Sequence, residues 1–270
     1  MSKETATKQT NTPNLYPKKT KVQITVILVL VLAMYIYSIN FTASQTNGGF
    51  ANALSNMGNV ISKFFPPNFS ILPIIWEPMA TTIQMAVIAT TVAALLTIPL
   101  ALLSAHNITT IKPLYYITRI GMNILRTIPD LVLAVIFVGL FGVGVFPGIL
   151  ALIIFSLGIL AKLFGETVEA VDMDPLEAMK ASGANIFQVI YYGLVPQVLP
   201  QFTSFVLYVF EINIRASVVL GLVGAGGIGL TLDRELNFYN YPNAMMIIIL
   251  IFVVVIVIEF ISTKIREALI

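Results

Sequence analysis

Two charged residues stand four apart in an otherwise uncharged run, Glu211 and Arg215 in "VLYVFEINIRASVVLG". That spacing puts them on one face of a helix. At the centre of a bilayer each would cost about 2.5–3.5 kcal/mol, so they must face protein or water. A guanidinium offers paired donors that fit the oxygens of an oxyanion. Two readings stand side by side: a fixed ion pair that holds the bundle, or an arginine that meets a passing oxyanion. A second cluster, "ETVEAVDMDPLE" from Glu166 to Glu177, packs five carboxylates into twelve residues. Glu166, Glu169, Asp172 and Asp174 could pair with Arg or Lys of another protein, or the segment could be a plain solvated connector. A third, "GAGGIG" from Gly224 to Gly229, has the spacing of a dinucleotide fingerprint. That site needs a strand before it, a helix after it and an acid about twenty positions on, but residues 245–250 are all apolar. The glycines suit a backbone that bends and packs closely, or an ordinary flexible loop.

The elements that position these residues lie in a membrane. The chain is 57% hydrophobic and 10% charged, far from the roughly 25% charged of soluble domains. There is no cysteine and one histidine, so disulfides, thiol nucleophiles, cysteine metal sites and histidine clusters are excluded. His106 is read as an interfacial residue at a helix end. Val22 to Ile39 is eighteen residues without a charge and predicts a first span; a cleaved signal peptide is the rival reading. Residues 1–21 form a polar tail, and 40–78 a loop in which Phe50, Leu54, Met57 and Ile61 predict a helix on the membrane surface over 50–64. Further spans are expected at Ala80–Ser104, Leu131–Phe146, Pro147–Phe164, Pro196–Leu220 and Asn243–Ile261. An amphipathic segment, Ala105–Arg126, separates the second span from the third.

The resulting class is an all-α polytopic membrane protein with six transmembrane helices. With the N-terminus inside, twelve of the fifteen Lys and Arg fall on the cytoplasmic side and only Lys63 and Arg234 outside, so both termini are expected in the cytoplasm of a cell-membrane protein. The carboxylate-rich element between spans four and five is then cytoplasmic. Asp174-Pro175-Leu176-Glu177 reads as a helix start with Asp174 as cap, and Gly183 as its left-handed end. Leu176, Met179, Ile186, Phe187, Val189 and Ile190 give this short helix–Gly–helix element apolar side chains to cover, which suits docking into a partner's groove. Lys162/Glu166 and Arg126/Asp130 are read as structural pairs. Glu259 is expected to snorkel or to pair with Lys264 or another inner-face cation.

"EAMKASGANIFQVIYYGLVP" resembles the cytoplasmic loop of ABC-importer permeases, in which Glu-Ala-Ala is followed after three residues by Gly and after nine more by Ile-x-Leu-Pro. Glu177, Ala178, Gly183 and Pro196 match in type and spacing; Met179, Gly193 and Val195 replace an Ala, the Ile and the Leu. "FFPPNF", "RTIPDLVLA", "AKLFGETVEAVD" and "EINIRASVVLGLVGAGGIG" are similar to phosphonate-transport permeases. The resemblance runs from about Phe64 to the C-terminus. It implies a type I ABC importer permease core over 79–270, with a coupling loop over 166–193. It implies that Asp174, Glu177, Ala178, Met179, Gly183, Ala184 and Phe187 meet an ATPase subunit. Glu211, Asn213, Arg215, Gly224, Gly226 and Gly227 are the candidate pathway or gate residues. The implied partners are a second copy of the chain, a dimer of ABC ATPase subunits, an extracellular substrate-binding protein and the lipid bilayer, with no nucleic acid. No G-x-x-x-x-G-K-[ST] occurs, so ATP and Mg are expected on the partner ATPase, with no catalytic residue, metal or cofactor on this chain. The implied function is alternating-access import of phosphonate, phosphite or phosphate. An amino-acid or betaine permease, a secondary transporter and a non-transporting scaffold are the competing readings.

Overall fold

The structure is a computed structural model and describes residues 18–45, 57–109 and 111–269. Most of the expected polar tail and the opening of the expected surface helix lie outside the described residues. Two units divide at Ser62/Lys63. In the first, helix α1 (Lys18–Gln45) has 28 residues, which rise about 42 Å, more than a bilayer's apolar core of about 30 Å. Thr20–Phe41 within it is apolar enough to span.

Every regular element of the second unit among the described residues is helical: a 3-10 turn (Phe69–Ile71), α2 (Leu72–Ser104), α3 (Lys112–Thr127), α4 (Asp130–Phe141), α5 (Val145–Glu169), α6 (Asp174–Ala181), a three-residue helical turn (Ile186–Gln188) and a π-helical segment at Val189–Leu194, α7 (Val195–Gly221), α8 (Gly227–Asn237) and α9 (Tyr241–Leu269). α2, α5, α7 and α9 are each long and apolar enough to cross, and with α1 they make five such helices among the described residues.

The expected third span is different. α4 has twelve residues, about 18 Å, too short to cross alone. It meets α3 at a bend of 87°, and only the bent pair together supplies a sixth crossing. Pro129 is the cause: it pushes Ile128 out of the helical region, to φ −85°, ψ 120°, and has no N–H with which to continue a helix. The bend also parts Arg126 from Asp130, whose four-residue spacing assumed one continuous helix. The second span starts eight residues before the expected Ala80, because Pro73 enters in the first turn and Pro78 is carried inside the helix. The sixth runs on to Leu269. In lipid every backbone group must be paired within the segment, so a helix continues through a proline that would end it in water.

Small residues line much of the contact between α2 and α5. Along α2, Thr82, Ala86, Ala89, Ala93, Thr97, Ala101 and Ser104 are buried at successive steps of three or four, one stripe of the helix. α5 answers with Gly148, Ala151, Ser156, Ala161 and Gly165. Small side chains let the two backbones approach closely, which in a membrane is the main source of helix association. A Cβ on Gly165 would come within 2.8 Å of Ser104 Oγ, and one on Gly148 within 2.7 Å of the Ala225 carbonyl oxygen.

Candidate functional site

At one end of the second unit α5, α6 and α7 form a polar elbow. α6 begins at Asp174, but not as predicted. Met173 occupies the cap position and contributes no side-chain capping bond. Asp172 Oδ1 accepts from the Asp174 N–H at 3.1 Å, and Glu177 closes no box onto Asp174. A capping box does form eleven residues later, where Asn185 Oδ1 accepts from the Gln188 N–H and Gln188 Oε1 accepts from the Asn185 N–H, both at 2.9 Å. Between the two, Gly183 takes φ +88°, as predicted. The Gly183 N–H donates to the Lys180 carbonyl and the Ala184 N–H to the Met179 carbonyl, both at 3.0 Å, which is the Schellman arrangement.

This geometry sorts the apolar side chains into two sets. Leu176, Val189 and Leu194 are buried with Ala101, Ala105, Phe164, Val168 and Val198, while Met179, Ala184 and Ile190 are half-buried against them. Met179 and Leu176 rest on Gly193, where a Cβ would lie 3.2 Å from the Met179 sulfur. Met179 and Ala184, expected at a partner, thus serve largely as the elbow's base. Phe187 is 79% exposed, and Ile186, Tyr191 and Tyr192 are exposed beside it. Phe187, Tyr191 and Tyr192, with Asn185, Gln188, Ile190 and Val195, surround an open groove of about 440 Å³. Asp174, Glu177, Ala178 and Gly183 are exposed on the same element. Behind it, Glu169 accepts from the His106 and Arg119 sides, and Lys162 pairs with Glu166 at 2.9 Å as predicted. The elbow is therefore pinned to α3 and to the loop after α2.

At the other end, α7 turns into α8 through the glycines. Gly224, Gly226 and Gly227 have φ of +91°, +82° and +69°, which only glycine adopts freely. The turn is packed on all sides. The Gly144 N–H donates to the Gly224 carbonyl at 3.0 Å, and the Ile228 N–H donates to Thr82 Oγ1 at 2.8 Å. Of the two readings left open, close packing is the one observed; Gly224 and Gly226 are buried rather than lining an open mouth.

Between the two ends lie the charges. Arg215 Nη2 donates to Glu211 Oε1 at 2.8 Å, the predicted pair. Two partners join it that spacing could not reveal: Arg266 Nη2 donates to Glu211 Oε2 at 3.3 Å, and Arg215 Nη1 lies 3.8 Å from Glu259 Oε2. Glu259 thus meets Arg215 instead of Lys264, which pairs with Glu267. The only sequence signal for Arg266 and Glu259 was that a charge inside the bilayer needs a partner. The Glu211 side chain is 9% exposed, whereas that of Arg215 is 46% exposed. Asn213 belongs to no open surface: wholly buried, it donates to Thr90 Oγ1 at 2.8 Å and to Ser156 Oγ at 2.7 Å. Asn213 was expected on the pathway, but it lies two residues from Glu211, an offset that turns a helical side chain to another face. It ties α7 to α2 and α5.

Comparison with known proteins adds four findings. Residues 97–269 match the family described as "Binding-protein-dependent transport system inner membrane component". The phosphite transport system permease protein PtxC of Stutzerimonas stutzeri is 34% identical over 216 residues, 80% of this chain and 78% of that protein. The phosphate-import permease protein PhnE of Mycolicibacterium smegmatis is 35% identical over 234 residues, 87% of this chain but 43% of that longer protein. Among solved structures, an inward-facing MetNI methionine ABC transporter superimposes with a TM-score of 0.65 at 20% identity, over 75% of this chain and 99% of that one; this similarity is one of fold.

Proposed function

The chain belongs to the binding-protein-dependent transport system inner membrane components, and from that premise we propose that it imports a phosphorus oxyanion (phosphonate, phosphite or phosphate) with energy from a separate ATPase. It is the membrane-spanning permease subunit of an ABC importer. The substrate class follows the relatives, named for phosphite and phosphate, and the chemistry of Arg215.

The observation that carries the reading is the elbow. Its exposed apolar tip, Phe187 with Ile186, projects from a base held by a Schellman turn, a capping box and a buried cluster. An exposed tip on a fixed base fits a groove on another protein better than it fits a connector. The ATPase dimer, carrying ATP and Mg, seats there; Asp174, Glu177, Ala178 and Gly183 border the contact. Nucleotide-driven closure moves the elbow and rocks the bundle between inward-open and outward-open states. A second copy of the chain and an extracellular binding protein complete the assembly. Both termini and the elbow lie in the cytoplasm, as the basic residues indicate.

The exposed side of Arg215 supports a pathway along α7. A half-exposed guanidinium between the two ends of a membrane helix is too costly against hydrocarbon, so that face looks onto water or a second copy. There the guanidinium can offer paired N–H donors to an oxyanion.

The test uses membranes containing the chain with its cognate ATPase and binding protein. Glu177→Lys and Gly183→Asp are expected to insert normally but to lose ATPase association or substrate-stimulated hydrolysis. Wild-type coupling in both would reject the elbow's role. Radiolabelled phosphonate, phosphite and phosphate, supplied with the binding protein, identify the cargo.

A further inference from the structure

We propose that Arg266 is a standby counterion for Glu211, taking over its carboxylate when Arg215 turns away to an oxyanion. The inference rests on Arg215 being the anion contact, as read above.

A buried carboxylate deprived of its cation is strongly unfavourable. If Arg215 were the only partner of Glu211, releasing it to a substrate would strand a charge at a side chain that is 9% exposed. Arg266 removes that obstacle. It already touches the other carboxylate oxygen, at 3.3 Å, longer than the roughly 2.7–2.9 Å of a fully formed charge-assisted bond. Its Nη2 is shared with Thr263 Oγ1, also at 3.3 Å. Its Nε is buried and has no hydrogen-bond partner among the described residues. A buried N–H without a partner is unfavourable, and here it sits on the guanidinium that already reaches Glu211. Once Arg215 leaves Oε1, the carboxylate can turn to accept from both Nε and Nη2 of Arg266. That two-bond pairing satisfies the idle donor and keeps Glu211 neutralised. Arg215, held on its other side, among the described residues, only by the long contact to Glu259, then presents its donors to the half-exposed face. Departure of the anion reverses the exchange. Arg266 is thus a positioning residue, acting on the substrate only through Glu211 and Arg215.

The exchange makes a prediction that separates it from simple charge balance. In the complex of permease, ATPase and binding protein reconstituted in liposomes, uptake of radiolabelled phosphate, phosphite and methylphosphonate is measured per assembled complex. Arg266→Gln leaves Glu211 with Arg215 alone, so uptake should fall roughly ten-fold or more. Arg266→Lys, which keeps the charge but lacks Nε and the fork, should fall by roughly three-fold. Adding Glu211→Gln to Arg266→Gln releases Arg215 and should bring uptake to within about three-fold of wild type. Adding Glu259→Gln instead restores the same net charge but leaves Glu211 on Arg215, and should rescue nothing. Equal rescue by both doubles, rescue by neither, or undiminished uptake in Arg266→Gln overturns the exchange. A wild-type complex that takes up none of the three anions overturns the substrate reading and the exchange with it. Normal uptake in Arg215→Lys, with the wild type active, removes Arg215 as the contact while leaving the importer assignment intact.

Discussion

The glycine turn and the elbow are both helix–glycine–helix junctions, yet they are built on opposite plans. At the glycine turn there is no room for a methyl group. A Cβ on Gly229 would lie 1.9 Å from the Val218 carbonyl oxygen, and one on Gly221 2.6 Å from the Gly229 Cα. At the elbow a Cβ on Gly183 meets nothing within 4 Å. The first uses glycine for closeness as well as for φ; the second uses it for φ alone and leaves its surroundings open. One junction is packed among its own helices, whereas the other keeps a face free for a different molecule.

Substitutions can break or sharpen that contrast. The largest effect is expected for Gly229→Ala, where backbone must move. A loss of more than about 3 kcal/mol should show as a collapsed melting temperature or failed accumulation in membranes. Wild-type melting would mean that the turn is not tightly packed. Next comes Asn213→Leu, which strips Thr90 and Ser156 of their shared partner; it should cost about 2 kcal/mol in detergent unfolding while leaving the elbow's partner affinity unchanged. Phe187→Ala should do the reverse. It should melt like the wild type but bind the ATPase roughly ten-fold more weakly, about 1.4 kcal/mol, in a binding titration. The smallest effect belongs to Gly183→Ala, about 1 kcal/mol from left-handed strain alone, seen as a slight shift in melting. A drop as large as that of Gly229→Ala would erase the distinction between the junctions.

The apolar runs sufficed to read the membrane class, the approximate spans and the existence of the elbow, because hydrocarbon selects composition along each crossing. The bend at Pro129 escaped that reading, since the residues after it are as apolar as a full span. Pro78 misled in the other direction: in water it would mark a boundary, but here the helix runs through it. At the candidate site, Glu211 and Arg215 were readable because their separation is local. Arg266 enters from 55 residues away, and no periodicity links it to them. Asn213 shows the same limit from the other side. It was expected on the pathway, while its neighbours in space are two hydroxyls of the core. Family resemblance located the elbow, but it could not say which of its apolar residues point outward. That division depends on Gly193, one of the positions at which the chain departs from the family's pattern.

One helical run of 36 residues, Ile186–Gly221, carries both Phe187 and Arg215. Within it lie the π-helical segment and two prolines, Pro196 and Pro200, yet the chain stays helical from end to end. Thermodynamic reciprocity then links its two ends. If a protein clasped at Phe187 changes how tightly an anion is held at Arg215, the anion must change the grip on that protein by the same factor. Titrating either one in the presence of the other would give that factor twice over.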